Sequence, residues 1–196
     1  AAAVTISAIS KASPGVVTTS TAHGYTTGDY VLMEVQGMYQ VNARVFRISA
    51  ASGSTLTLEG EDTTNYGTFT SGTVKKLTLG TSLSTLTSIN ASGGDFDFIQ
   101  TTTIHDNIKT QIPGLPNPST YSFESFWDPS DAGLVALKSA SDSQAQRAVL
   151  FSFANGQKFV FNGYVGCSLA PTGSAQDLIK TSVTFTALGG PKAYAS

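Results

Sequence analysis

Two aromatic runs, Phe151–Phe153 and Phe159–Phe161, flank the dipeptide Asn155-Gly156. A two-residue hairpin turn of type I′ needs positive φ at both central positions, and Asn-Gly tolerates that best. The pattern predicts a β-hairpin with Ala154 opposite Gln157, Phe151 opposite Val160 and Leu150 opposite Phe161. Facing residues share a side of the sheet. One side then carries Val149, Phe151, Phe153 and Val160, and the other Leu150, Phe159 and Phe161. Both sides are apolar, so both need a cover. The expectation is a second sheet or a helix over one, and a helix or a neighbouring subunit over the other.

The segment before the hairpin is equally legible. Tyr121, Phe123, Ser125 and Trp127 alternate as a strand. Asp128-Pro129-Ser130-Asp131 reads as a helix start: Asp128 as the cap, Pro129 at the first helical position, Asp131 complementing the dipole. Leu134 and Leu137 supply the apolar stripe, and the polar run from Ser139 to Gln146 ends the helix.

In chain order, residues 1–77 show short alternating stretches at Val4–Ala8, Val16–Thr21, Tyr30–Val35, Val45–Ala50, Thr55–Leu58 and Thr68–Leu79, separated by glycine-rich turns. Helical periodicity is absent, so a small β-barrel or β-roll is expected. Residues 78–196 read as a second unit of six strands and one short helix. Strands are expected at Thr78–Leu86, Asp95–Ile104, through Tyr121–Trp127, in both hairpin arms and at Leu178–Leu188. Lys192–Ser196 reads as a short tail. The fold class is therefore all-β with one short helix.

Composition limits the functions open to such a chain. Charged residues make up 12% of 196, about half the usual ~25%. A low charge content suits extensive subunit contact, because buried charges are costly. The net charge of −2 gives no basic face for nucleic acid. Cys167 is the single cysteine, so it has no internal disulfide partner. No stretch is long enough for a membrane helix, and Ala1–Ser10 lacks the pattern of a signal peptide.

Nothing in the pattern builds a catalytic, metal or cofactor site. His23 and His105 lie in different units, and the zinc and phosphate-loop motifs are absent from the sequence. Asp95 and Asp97 share a strand face. That spacing suits a carboxylate pair or a calcium site, and suits a solvated sheet face better. Asn90-Ala91-Ser92 matches a glycosylation acceptor. Arg47 reads as a strand-surface side chain. A carbohydrate- or receptor-binding β-sandwich has a similar composition, and remains the alternative to an assembly protein.

Residues 4–58 resemble a small β module found in phage virion proteins, itself similar to the half-domain around the first catalytic cysteine of ubiquitin-activating enzymes. The resemblance rests on His23-Gly24, Thr27-Gly28-Asp29, Gly37-Met38, Val41-Asn42 and Val45-Phe46-Arg47-Ile48, and implies no activity. Residues 78–194 resemble the tail tube proteins of lambda-like phages with long, non-contractile tails. That likeness rests on Ser122-Phe123-Glu124 to Trp127, Pro129 and the short helix, Arg147–Phe153, Asn155-Gly156, Phe159–Val165, and Ala175–Leu188 leading to Gly190-Pro191. In the lambda-like case an added β domain sits at the other end of the chain.

The resemblance implies a β-sandwich flanked by a helix. Six copies form a ring whose inner sheets join into one barrel, and rings stack into a tube through which double-stranded DNA leaves the virion. It implies a virion protein assembled in the host cytoplasm, with itself, the tape measure, the tail tip and the tail terminator as partners, no cofactor and no membrane insertion. The domains are then 1–77, as outward decoration or wall, and 78–196, as the tube unit. Asp95, Asp97 and Glu124 become candidates for carboxylates lining the channel. His105–Ser119, stiffened by Pro113, Pro116 and Pro118, becomes a ring-stacking loop anchored by Ile108, Ile112 and Leu115.

Overall fold

The computed structural model describes residues 2–195. Its first six strands are β1 (Ala3–Ile9), β2 (Val16–Thr19), β3 (Tyr30–Gln36), β4 (Arg44–Ser52), β5 (Thr55–Leu58) and β6 (Ser71–Lys76). They close into a barrel in the order β1-β2-β5-β4-β3-β6. Closure pairs the backbone that an open six-stranded sheet would leave at its edges. The alternating apolar residues point inward, and Val17, Val31, Met33, Phe46, Ile48, Leu56 and Leu58 are fully buried. Gly37 ends β3 with φ +85, where an added Cβ would lie 2.2 Å from the Thr68 carbonyl oxygen. Only glycine fits that approach.

The remainder contains β7 (Leu86–Ser92), β8 (Phe96–Gln100), β9 (Gln111–Pro116), β10 (Thr120–Phe126), helix α1 (Ala132–Asp142), β11 (Gln146–Ser152), β12 (Lys158–Cys167), β13 (Lys180–Ala187) and β14 (Lys192–Tyr194). One sheet runs β11-β12-β13-β10-β7, with β14 added beside β12, while β8 and β9 form a separate two-stranded ribbon. The all-β architecture with one short helix is as expected. Within a single chain the second unit is one curled sheet, not two opposed ones. Its concave side gathers the aromatic rings: Phe123 on β10 and Phe151 on β11 lie 6.1 Å apart although two strands separate them.

Several local expectations need correction. The hairpin register is one residue off. Phe151 pairs with Phe159, Leu150 with Val160 and Val149 with Phe161. The turn holds three residues, closed by the Phe153 N–H on the Gln157 carbonyl at 2.9 Å and the Gly156 N–H on the Phe153 carbonyl at 2.9 Å. Gly156 has φ +87 and Asn155 does not have positive φ, which excludes type I′ and matches a type I turn closed by a glycine bulge. The shift sorts the side chains cleanly: Val149, Phe151, Phe159 and Phe161 face one way, and Ala148, Leu150 and Val160 the other.

The helix begins a turn later than the sequence suggests. Asp131 is its cap, accepting the Leu134 N–H at 3.0 Å, while Asp128 accepts the Ser130 N–H at 2.8 Å in the turn before it. Thr78–Thr85 forms no strand; its two leucines, Leu79 and Leu83, are four apart and do not alternate. Asp95–Ile104 contributes only Phe96–Gln100, off the main sheet, and the expected loop His105–Ser119 contains β9. Prolines are tolerated there because a ribbon strand has a free edge, where a missing N–H breaks no ladder bond. The tail also forms a strand, β14.

Both faces of the hairpin are covered. Leu134, Leu137 and Ala140 of α1 join Phe161, Phe123, Phe185 and Val183 in one core. On the other face Val160, Leu150 and Ala148 pack with Tyr30, Val45, Leu32 and Leu77 of the barrel and its exit, and with Tyr194. The second cover is thus the chain's own barrel.

Candidate functional site and assembly surfaces

Three surfaces follow from this packing: a seam, a polar wall and an arm. At the seam, the tail clasps the barrel. Glu61 is buried, accepting from Arg44 Nη1 at 2.6 Å, Lys192 Nζ at 2.6 Å and the Tyr66 hydroxyl at 2.8 Å. Burial alone pushes its carboxyl up, but the Lys192 and Arg44 cations and the Tyr66 hydroxyl outweigh that and hold it below the usual carboxylate range. Arg44 Nε also donates to the Gly190 carbonyl at 3.1 Å. The Tyr194 hydroxyl accepts the Arg47 backbone N–H at 2.8 Å, and the Arg47 guanidinium sits over the Tyr194 ring. Burial pushes the Tyr194 phenol up to about 12, against the opposing pull of the Arg47 N–H. Arg47, read as a surface side chain, is therefore a seam residue that also pairs with Glu59.

The polar wall lies on the same face as Val160, beyond the barrel's footprint. The register aligns Asn90, Ser122 and Thr184 in one row, Ser88, Glu124 and Ser182 in the next, and Ser92, Thr120, Thr186 and Tyr164 in a third. It carries one anion and one cation near its end, with Lys180 Nζ 3.3 Å from Glu124 Oε2. Lys158, on the same face of β12, sits at the opposite end beside β14. Glu124 thus belongs to the wall. Asp95 and Asp97 do not join it: Asp95 is at the root of the β8–β9 ribbon, and Asp97 on β8 accepts from Asn117 Nδ2 at 3.2 Å. The three carboxylates are not brought together.

The ribbon is an arm. Among the described residues its hydrogen bonds close within residues 94–118, such as the Thr101 N–H on the Thr110 carbonyl at 2.9 Å and the Asn117 N–H on the Asp95 carbonyl at 2.8 Å. Ile112 pairs with Ile99, Leu115 lies in the bulge opposite Asp97, and Ile108 is in the turn at the tip. Their exposures are 52%, 86% and 77% for Ile112, Leu115 and Ile108. Phe96, Phe98, Ile99 and Ile104 are exposed as well. Phe96 and Phe98 were hidden in the sequence because their alternation is that of a core strand. The two sheet edges are also open: among the described residues β7 pairs only with β10, and β11 only with β12.

His23 stacks on Tyr25 and accepts its N–H at 3.0 Å, a local turn contact. Cys167 is buried. Among the described residues no group of three or more His, Cys, Asp or Glu converges as a metal site, and no helix is long and apolar enough to cross a membrane.

Open edges, an unpartnered apolar arm and a hydroxyl-rich wall are the marks of a subunit in a larger assembly. Comparison with curated proteins returned no match. A family model described as phage tail tube protein matches residues 36–196, which takes in three of the six barrel strands, the whole sheet, the arm and the clasping tail. The chain belongs to the phage tail tube protein family, and its role is structural, in the tail of the virion.

Proposed function

We propose that six copies close into a ring and that rings stack into the conduit for DNA. The observation that carries this reading is the arm: seven large apolar side chains stand in solvent on a two-stranded ribbon, a surface that only an assembly would bury. Pairing the open edge of β7 or β11 with a neighbouring copy would extend the sheet around the ring and remove both edges. Membership in the tail tube family favours this over a carbohydrate-binding role. The arm, with Ile108, Ile112 and Leu115, is the ring-to-ring contact.

The polar wall is the channel surface in this reading. A duplex must slide through, and each Lys or Arg that neutralises a phosphate adds affinity. Ser, Thr and Asn offer none, and the Glu124 carboxylate balances the Lys180 charge beside it. Asp95 and Asp97, on the arm at the other end of the sheet, stand outside this wall. The barrel packs on the far, β11–β12 part of the curled sheet, which supports its lying outside the channel. Residues 1–77 and 78–196 then divide the chain into an outer module and a tube unit, with the seam fixing one to the other. The tape measure, tip and terminator proteins are its partners in the tail, met during assembly in the host cytoplasm.

Negative-stain electron microscopy of the purified chain, with sedimentation across a concentration series, tests this. Rings and rods are expected. A monomer that persists at high concentration, with no rods on the grid, would refute it.

A further inference from the structure

If rings stack through the arm, as proposed for this chain, the arm needs an acceptor on the next copy. β10 runs from Thr120, where the arm returns to the sheet, to Phe126 at the opposite end. There Phe126 pairs with Lys180, and the two border a depression of about 520 Å³ closed by Gly173, Asp177 and Leu178. Phe126 and Leu178 are both exposed. The loop that walls the depression is already ordered: Thr172 and Lys180 exchange backbone hydrogen bonds at 2.8 Å each, and Ser174 Oγ donates to Asp177 at 2.7 Å. Its lining is mixed: Phe126 and Leu178 are apolar, Thr172 and Gln176 polar, and Asp177 and Lys180 charged, Lys180 also pairing with Glu124.

The arm tip carries the matching set. Ile104, 96% exposed, and Ile108 project from a turn held by the Thr103 N–H on Asp106 Oδ2 at 2.7 Å and the Thr110 N–H on Thr102 Oγ1 at 3.0 Å. Asp106 and Lys109 flank the two isoleucines. At ~3.3 Å per residue the arm is roughly 30 Å long, more than the ~20 Å between the two ends of β10. A second depression, of about 470 Å³, lies at the arm's own end of the sheet among Ile89, Tyr121, Phe153 and Phe159. It has no charged lining residue, so it offers nothing to Asp106 or Lys109.

We propose that Ile104 and Ile108 of one copy seat in the Phe126–Leu178 depression of the copy stacked on it, with Lys109 facing Asp177 and Asp106 facing Lys180. Donor and acceptor lie at opposite ends of one sheet. The contact is therefore head-to-tail, and repetition of a head-to-tail contact builds an open fibre of fixed polarity.

Disulfide trapping in the full chain tests this. Ile108→Cys with Leu178→Cys, assembled into tubes and oxidised, should give a ladder of covalent oligomers on a non-reducing gel. The parent chain, whose Cys167 is buried, and Ile108→Cys alone should give none. Tubes without a ladder, or a ladder from Ile108→Cys with Phe153→Cys instead, would overturn the acceptor while leaving stacking intact. A parent chain that makes no tubes would overturn stacking itself, and the acceptor with it. If the cysteine pair blocks growth, charge exchange decides. Lys109→Glu should raise the concentration needed for tubes about tenfold, and adding Asp177→Lys should restore it; failure to restore refutes the pairing.

Discussion

Replacing Ile112 and Leu115 with serine should separate assembly from folding. In the single chain both side chains are largely in solvent, at 52% and 86% exposure. Exposed substitutions usually change stability by within about 0.5 kcal/mol each. For a chain of this size that corresponds to a melting shift of roughly 2–4 °C at most. If the arm is the ring-to-ring contact, the tube buries the same side chains, and burying a large aliphatic side chain is worth about 1.5–3 kcal/mol. The double variant then loses roughly 3–6 kcal/mol per arm. Each 1.4 kcal/mol is about tenfold in an equilibrium constant, so one arm contact weakens by about two to four orders of magnitude. Every subunit of a ring carries the change, so tube growth should stop at rings or monomers at concentrations where the parent forms rods. Sedimentation velocity and negative stain read the assembly, and a circular-dichroism melt reads the fold. A melt that falls by some 10 °C, with the surviving protein still polymerising, would show that the arm serves its own core.

Other perturbations probe the seam, the core and the wall. Glu61→Gln leaves Arg44 and Lys192 without their buried anion and should cost about 3–5 kcal/mol, read as a lower denaturation midpoint by urea titration. Stability should also form a plateau in pH. The depressed Glu61 contributes above its unfolded value near ~4.3, and that contribution is lost as pH falls through the lower folded value. Tyr194, raised to about 12, contributes below its unfolded value near ~10 and loses that contribution as pH climbs toward the folded one. Melting temperatures across a pH series check both limbs. Phe161→Ala removes a fully buried ring that meets Tyr121, Phe151, Phe159 and Phe185, and should cost about 3–5 kcal/mol by the same urea assay. Ser122→Lys with Thr184→Lys should leave the melt unchanged and slow DNA release from virions, more so at low salt; unchanged release kinetics would move the channel to another face.

The alternation of short apolar stretches and their glycine punctuation were enough to read the barrel strands, because period two and a tight turn are properties of neighbouring residues. The strand Thr120–Phe126 and the existence of the hairpin were legible for the same reason. The hairpin register was not. Asn-Gly serves equally in a two-residue turn or a three-residue turn with a bulge, and only packing of Phe151 and Phe159 into one aromatic core selects between them. The tail was illegible too: Lys192 and Tyr194 acquire their roles from Glu61 and Arg47, more than a hundred positions away. The arm shows the limit most directly. Phe96, Phe98 and Ile112 follow the rhythm of buried strands, and the sequence determined that they form strands and that they are apolar. Whether an apolar strand is core or contact depends on what lies against it, and that is decided by the return path of the chain in three dimensions. Here the chain leaves β7 and re-enters at β10, and the hydrophobic side chains between them stay in solvent.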